Sequence, residues 1–342
     1  MSKSSLIIHI GPYSIIGGVS VHIRRLTDGL SSDYEFAFID ESKAEFCIND
    51  SRVVCLRKGQ FFQYLKLVFK ARAVHIHTGT WWLRSAHLFL MTLLRKRTFI
   101  TLHSANTLGG SKSIALTRRL LKLCRVTVIC VNPIIKDKIG IEEALVKPAF
   151  LPPMQTKKLP PKILEVLEKQ KGKKMVVSNA FRLILKDDTD LYGLDMCIEL
   201  AEMIKEECQQ IFIVFVIANA DVNLDLLEAY KNRIEQKQLH QQIFLYCQSL
   251  SFPDLVKRSD VVLRLTTTDG DALTIREALY FGKTVVASNV VERPEGTVIF
   301  KSRDTRDLYE KLTENMSGNN FALKNGAEGS LEFYRNLYNE LR

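Results

Sequence analysis

The residues best placed to do chemistry lie in one run, Ser259 to Ser288, which reads SDVVLRLTTTDGDALTIREALYFGKTVVAS. An apolar stretch ends in three threonines, the loop Asp269-Gly270-Asp271 follows, and Ala272 to Phe281 has helical spacing that Gly282 stops. Seven residues separate Asp269 from Glu277. That spacing predicts one carboxylate where the helix begins and the other about two turns further along its first face. Two such carboxylates beside the free N–H groups of Asp271, Ala272 and Leu273 suit sugar hydroxyls next to a phosphate. As a capping pattern alone, Asp269 would be an N-cap and Glu277 a surface residue.

Three further turns follow apolar runs and could join that chemistry. Gly11 to Val21, GPYSIIGGVSV, leads into a helix bearing His22, Arg24 and Arg25. The Gly17-Gly18 pair lets a ligand approach the backbone closely, and the helix N-terminus favours an anion. VHIHTG places His75 and His77 at one strand end, and TLHS places His103 at the next. Each imidazole alone reads as structural, but three at neighbouring strand ends converge on one crevice. No metal is expected there, because the surrounding block offers no carboxylate. Finally, SNAFRLILKDD displays Arg182 and Lys186 on a loop, where fixed positive charge would neutralise a leaving diphosphate.

These turns need strands and helices to hold them. Short β-branched runs alternate with amphipathic stretches through the whole chain, which is the pattern of parallel α/β sheets. Strands are expected near Leu6–Ile10, Glu35–Ile39, Ala73–His77, Phe99–His103 and Val126–Val131, and again near Met175–Ser178, Phe212–Ile217, Ile243–Tyr246, Val261–Leu265 and Thr284–Ala287. Between the two series, Lys147 to Lys162 holds five prolines in sixteen residues and reads as a linker. Two doubly wound domains are therefore expected, 1–152 and 153–330, followed by an amphipathic aromatic helix over 331–342.

Composition narrows the partners. The 342 residues carry 48 Lys plus Arg against 38 Asp plus Glu, a formal charge of +10, and 46% are apolar, which excludes a disordered or fibrous chain. The charge is uneven. Residues 1–150 are +12 and the remainder −2, and from Ser51 to Lys136 there are 16 Lys or Arg with no Asp or Glu. Seven scattered cysteines show no CxxC, so free thiols and a reducing compartment are expected. No signal peptide is expected, since Leu6 to Ile10 is broken by His9 and followed by Gly11-Pro12, and the most apolar window, Trp81 to Leu94, is interrupted by Arg84 and His87 and is too short to span a bilayer. The basic block lacks the motifs of nucleic-acid readers. With Trp81 and Trp82 beside Arg118, Lys122 and Arg125, it suits an anionic membrane surface.

The run DGDALTIREALYFGKTVVAS resembles the E-x7-E signature of retaining glycosyltransferases of the GT-B fold, family 4 in particular. IGGVSVHIRRLTDGL is similar to that family's first Gly-rich turn and helix, VHIHTG and TLHS to its acceptor-domain strand ends, and SFPDLVKRSDVVLRLTTTDGDA to the stretch before the signature. The resemblance implies two Rossmann-like domains facing each other across a cleft, with the terminal helix crossing back onto the first. It implies that Gly17 and Gly18 approach the donor diphosphate, His103 the donor sugar, and Arg182 and Lys186 the diphosphate. Asp269 and the N–H groups of Asp271 to Leu273 would contact sugar and phosphate, and Glu277 the ribose. No metal or other cofactor is implied, and no protein nucleophile. Transfer of a hexose or N-acetylhexosamine from a nucleotide sugar to a lipid-linked glycan acceptor, in surface polysaccharide such as lipopolysaccharide, is the expected activity, by a cytoplasmic protein peripheral to the inner membrane face. The sequence departs from the family in having Asp269 for Glu, Arg182 and Lys186 only four apart, and Ala218-Asn219-Ala220-Asp221 where a glycine turn is usual. An epimerase or phosphorylase of the same fold would need either further acid or base carboxylates in the first domain, against which the acid-free block argues, or a cofactor lysine. A non-catalytic protein binding membrane or nucleic acid through the basic half is the remaining alternative.

Overall fold

The computed structural model describes residues 5–15, 17–124, 126–153, 158–269, 272–316 and 324–339. The chain divides into two compact units, Met1–Met154 with Asn325–Arg342, and Gln155–Lys324. In the first, apolar β-rich runs alternate with crossover helices: β1 (Leu6–Gly11), α1 (Gly18–Gly29), β2 (Glu35–Asp40), β3 (Val53–Cys55), α2 (Phe61–Lys70), β4 (Ala73–Ile76), α3 (Trp81–Leu93), β5 (Arg97–Leu102), α4 (Ser111–Leu123), β6 (Thr127–Cys130), α5 (Pro133–Ile139) and β7 (Leu145–Val146). All seven strands pair in parallel in the order β3-β2-β1-β4-β5-β6-β7. Strand alternation divides the residues between two faces. Ile8, Ile10, Ile76, Ile100 and Leu102 pack with Tyr64, Val68, Leu88, Met91 and Leu121 of α2, α3 and α4.

The second unit holds α6 (Pro161–Lys169), β8 (Lys174–Ala180), β9 (Leu185–Lys186), β10 (Thr189–Asp190), α7 (Leu194–Glu206), β11 (Ile211–Ile217), α8 (Leu224–Gln236), β12 (Ile243–Tyr246), α9 (Phe252–Arg258), β13 (Val261–Arg264), α10 (Leu273–Tyr280), β14 (Thr284–Ser288), β15 (Thr297–Phe300) and α11 (Thr305–Asn315). Six strands run parallel in the order β12-β11-β8-β13-β14-β15, and β9 and β10 form a separate antiparallel hairpin. Its turn residues Asp187 and Asp188 both have positive φ, the conformation of a tight two-residue hairpin turn. Asp190, at the hairpin's end, is buried and accepts from the N–H groups of Tyr192, Gly193 and Leu194 and from Tyr230 Oη, which ties the start of α7 to α8.

The last helix, α12 (Lys324–Asn339), belongs with the first unit. It begins earlier than the 331 expected, and residues 340–342 lie outside those described. Tyr334, Leu337 and Tyr338 are buried with Ile7, Ile23, Leu26, Phe38, Ala73 and Phe99 on the sheet face that α1 also covers. Arg335 pairs with Asp33, and Tyr34 Oη donates to Asn339 Oδ1 at 2.8 Å. The thiol expectation is corrected at one place: Cys47 and Cys55 are joined by a disulfide, a separation of eight that carries no recognisable sequence signature. Replacing the fully buried Tyr338 by Ala should cost roughly 3–5 kcal/mol of unfolding free energy in denaturant melts. An unchanged midpoint would show that α12 does not close this core.

Candidate functional site

In an open parallel sheet, ligands bind beyond the carboxyl ends of the strands where strand order reverses. In the first unit that point lies between β1 and β4, and in the second between β8 and β13. Gly17, Gly18 and His103 lie in the first unit near its switch point, and Arg182, Asp269 and Glu277 in the second near its own.

At the first, β1 ends in Gly11, where an added Cβ would lie 3.0 Å from His77 Cβ. The following turn is held by Asp40 at the end of β2, which accepts from Tyr13 N, Ser14 N and Oγ, and Ser42 N. Gly17 is the N-cap of α1 and Gly18 its first residue; an added Cβ at either would meet nothing within 4 Å. Both are exposed, so the N-terminus of α1 is open to a ligand. His103 follows β5 directly and is partly exposed. His75 and His77 lie close to it as expected, and the structure adds two more. His9 Nδ1 is 3.0 Å from His77 Nε2, and His77 Nδ1 is 3.1 Å from His103 Nε2. The ring of His22, on α1, packs edge-on against His103 with centroids 5.1 Å apart, and its Nδ1 donates to the Ala149 carbonyl at 2.7 Å. His75 reaches Tyr338 Oη at 2.6 Å and Thr101 Oγ1 at 2.8 Å. Five of the seven histidines thus form one cluster.

Burial governs their charge. It pulls His9 down to about 3, with a push from His22, and His22 to about 4 against the favourable Ala149 carbonyl. It also holds His75, His77 and His103 well below the ordinary value. All five are neutral near pH 7. The donor nitrogens of His9, His75 and His77, and those of His22, His77 and His103, lie within 4.8 Å of one another.

At the second switch point, Asp269 follows β13 and its carboxylate is engaged rather than open. Arg264 donates Nε and Nη2 to its two oxygens at 2.9 Å each, Arg293 donates at 2.7 Å, and Thr266 Oγ1 at 3.1 Å. Burial alone would raise this carboxyl; the two guanidiniums outweigh it and hold it at about 2. Arg293 also donates to Ser288 O and Oγ, so the pair binds the loop after β13 to the end of β14. Ala272 is the N-cap of α10 and Leu273 its first residue; Gly270 and Asp271 lie outside the described residues. Glu277 is buried on α10. It lies about one turn into the helix, not two, because the helix starts four residues after Asp269. Thr274 Oγ1 contacts Asn179 Oδ1 at 3.5 Å, which joins the start of α10 to β8. Arg182 is exposed just beyond β8. Lys186 is not on that loop: it sits in β9, paired with Thr189 beside the Asp187-Asp188 turn.

Sequence reasoning missed Arg264 and Arg293 as partners of Asp269, and His9 and His22 as members of the cluster. The signal for His9 was its period-two spacing with Gly11, matched by His75 and His77. Arg118 is also reassigned: its Nε donates to Ile139 O at 2.6 Å, and Arg119 is the exposed neighbour. Arg125 lies outside the described residues.

Below pH 6.5 the unfolded chain protonates these five imidazoles while the folded chain does not. Stability is therefore full above about pH 6.5 and falls towards pH 4, by up to about 1.4 kcal/mol per pH unit for each imidazole. Urea midpoints should drop steeply between pH 7 and 5, and equal midpoints would contradict the burial. Asp269→Asn leaves two guanidiniums without a counter-charge and should cost roughly 3–5 kcal/mol in the same melts; wild-type stability would show that the triad is solvated.

Residues 168–303 match the family model described as Glycosyl transferases group 1. No curated protein is recognisably similar in sequence. Among solved structures, a glycosyltransferase from Rickettsia africae ESF-5 superposes with a TM-score of 0.69 at 14% identity over 99% of both chains. Anabaena Alr3699/HepE, in complex with UDP and glucose, gives 0.66 at 12% over 98% of both. Sucrose-phosphate synthase from Thermosynechococcus elongatus gives 0.63 at 13% over 98% of this chain and 99% of that one. The two parallel-sheet units have the GT-B glycosyltransferase fold, and the second of them carries the glycosyl transferases group 1 segment.

Proposed function

We propose that the chain is a retaining glycosyltransferase of family 4 type, moving a hexose or N-acetylhexosamine from a nucleotide sugar to a lipid-linked glycan acceptor in surface polysaccharide synthesis. The observation that carries this reading is the placement of the Asp269–Glu277 segment at the switch point of the unit that matches the group 1 model. There the leaving diphosphate meets Arg182 and the N–H groups at the start of α10, and Glu277 takes the ribose hydroxyls. Asp269 acts as a positioning residue. With Arg264 and Arg293 it forms a triad of net charge +1 beside a helix N-terminus, a setting that favours an anion. Lys186, on its hairpin, is assigned to the diphosphate by the sequence resemblance alone. In the first unit, Gly17 and Gly18 leave room for close approach of the diphosphate and His103 offers its imidazole to the donor sugar. A departing phosphate oxygen takes the acceptor hydroxyl proton on the same face, so no protein nucleophile is used. Positive protein groups meet the leaving charge, and no metal is assigned to that step.

The membrane part of the reading rests on α3, whose inward face mixes Arg84 and His87 with Leu88 and Met91 while its outer face is largely apolar. Arg84 and His87 point inward, with His87 between Tyr64 and Glu41, while Trp82, Phe89 and Leu93 face solvent, Leu93 with 68% of its surface exposed. Phe62 on α2, 86% exposed, and Leu116 and Leu123 on α4 extend this apolar surface, and Lys66, Lys70, Lys112, Arg119 and Lys122 are exposed on the same helices. Among the described residues no helix is long and apolar enough to cross a membrane. Aromatic side chains set among cations fit the headgroup region of an anionic bilayer, where each cation contributes about 1 kcal/mol.

Incubation with a panel of nucleotide sugars, uridine diphosphate sugars first because Alr3699/HepE holds UDP and glucose, should give hydrolysis or transfer that Glu277→Ala abolishes. No turnover of any donor, with nucleotide binding unchanged in that variant, would refute the assignment. Epimerisation without acceptor, read by NMR, would replace it. Wild-type protein should sediment with anionic vesicles and not neutral ones, and Trp82→Glu with Phe89→Glu should prevent it without altering the circular dichroism spectrum. Binding indifferent to lipid charge would remove the docking surface.

A further inference from the structure

The histidine cluster contains more than a packed core requires. His22 is 1% exposed, and its Nε2 has no hydrogen-bond partner among the described residues. A carbonyl can only accept, so Nδ1 must carry the proton that bonds Ala149 O, and Nε2 presents a bare lone pair inside the protein. A ring N–H anchored on a backbone carbonyl is also the usual way a metal-binding imidazole is oriented.

The other rings fit the same arrangement. If His77 Nε2 donates to His9 Nδ1, His9 Nε2 to Tyr338 Oη, Tyr338 to His75 Nδ1 and His75 Nε2 to Thr101, each ring uses its one proton. That leaves His77 Nδ1 as a second lone pair, 3.1 Å from His103 Nε2. Three imidazoles on a tetrahedral ion, with bonds of about 2.0–2.1 Å, hold their donor nitrogens roughly 3.4 Å apart. The ring centroids of His22, His77 and His103 are 5.1, 5.4 and 5.6 Å apart, an almost equilateral set. The other triad, His9 with His75 and His77, is unsuitable, since both nitrogens of His75 are taken by Tyr338 and Thr101.

We propose that His22, His77 and His103 bind one divalent cation of the zinc class, which staples α1 to the carboxyl ends of β4 and β5. Imidazole suits zinc, cobalt and nickel rather than magnesium or calcium, and three histidines with a water or anion in the fourth place form a known class of site that needs no carboxylate. The fourth position lies on the side where His103 is partly exposed. On binding, His103 shifts its proton to Nδ1, so no proton need leave. The expectation of no metal rests on the missing carboxylates, which an all-imidazole site does not need.

The test uses the full-length, tag-free chain, stripped with chelator and titrated with Co²⁺, and it does not depend on glycosyl transfer. The intense visible bands of four- or five-coordinate cobalt should saturate at one equivalent, yield to Zn²⁺, and accompany a rise in melting temperature. His22→Gln and His103→Gln, checked for native circular dichroism, should each weaken binding by about 100-fold or more, beyond the effect of altering a supporting contact; the partly exposed His103 keeps the test open if His22→Gln does not fold. Absence of the bands with excess Co²⁺, or bands that persist in both variants, would overturn the site. Loss with His75→Gln while both other variants bind would place the ion in the other triad and equally refute the proposal.

Discussion

Burial of neutral imidazole is the constraint around which the first unit is built. His9, His75 and His77, with His103 just beyond, lie on a sheet face that would ordinarily be wholly apolar, and each ring there must find partners without a proton to spare. The two tyrosines of α12, the carbonyl of Ala149 and the hydroxyl of Thr101 belong to that arrangement, as does the lack of a side chain at Gly11. The packing of α1 and α12 on the sheet is therefore tied to the protonation of the cluster, since burial there favours the neutral rings. An acid-free sequence block is consistent with it, because a carboxylate near these rings would favour their charged form and weaken their burial.

The second unit solves a different electrostatic problem. Its overall charge is slightly negative, yet its switch point concentrates guanidiniums. Asp269 neutralises half of the Arg264 and Arg293 charge and fixes both in place, so positive potential is preorganised rather than drawn from mobile side chains. An acid that the sequence casts as a ligand for sugar thus serves first as an internal counter-ion. The shorter Asp in place of Glu reaches Arg264 at the end of β13 and Arg293 in the loop after β14.

Much of this was legible in the residues themselves. Alternating β-rich and amphipathic runs disclosed both parallel sheets, and strand ends marked by Gly11, His77, His103, Arg182 and Asp269 gathered at the two switch points because parallel topology puts them there. What stayed hidden depended on tertiary contact or on elements too short to have a period. Arg293 lies 24 residues from Asp269 and meets it only because β13 and β14 are neighbours. The role of His22 needed the packing of α1. The strands β3, β7 and β9 have two or three residues each, and the Asp187-Asp188 turn lacks the glycine that usually announces a two-residue hairpin, so nothing in the sequence marks Lys186 as a strand residue.

The position of α12 bears on how the molecule is made. A ribosome delivers the first unit's strands early, but the helix that covers His9 and His75 emerges only after the entire second unit. Throughout that interval α1 alone covers the histidine face, and the domain begun first is completed last. Chain order and structural order run in opposite directions there, so α12 is the element whose docking completes the first core.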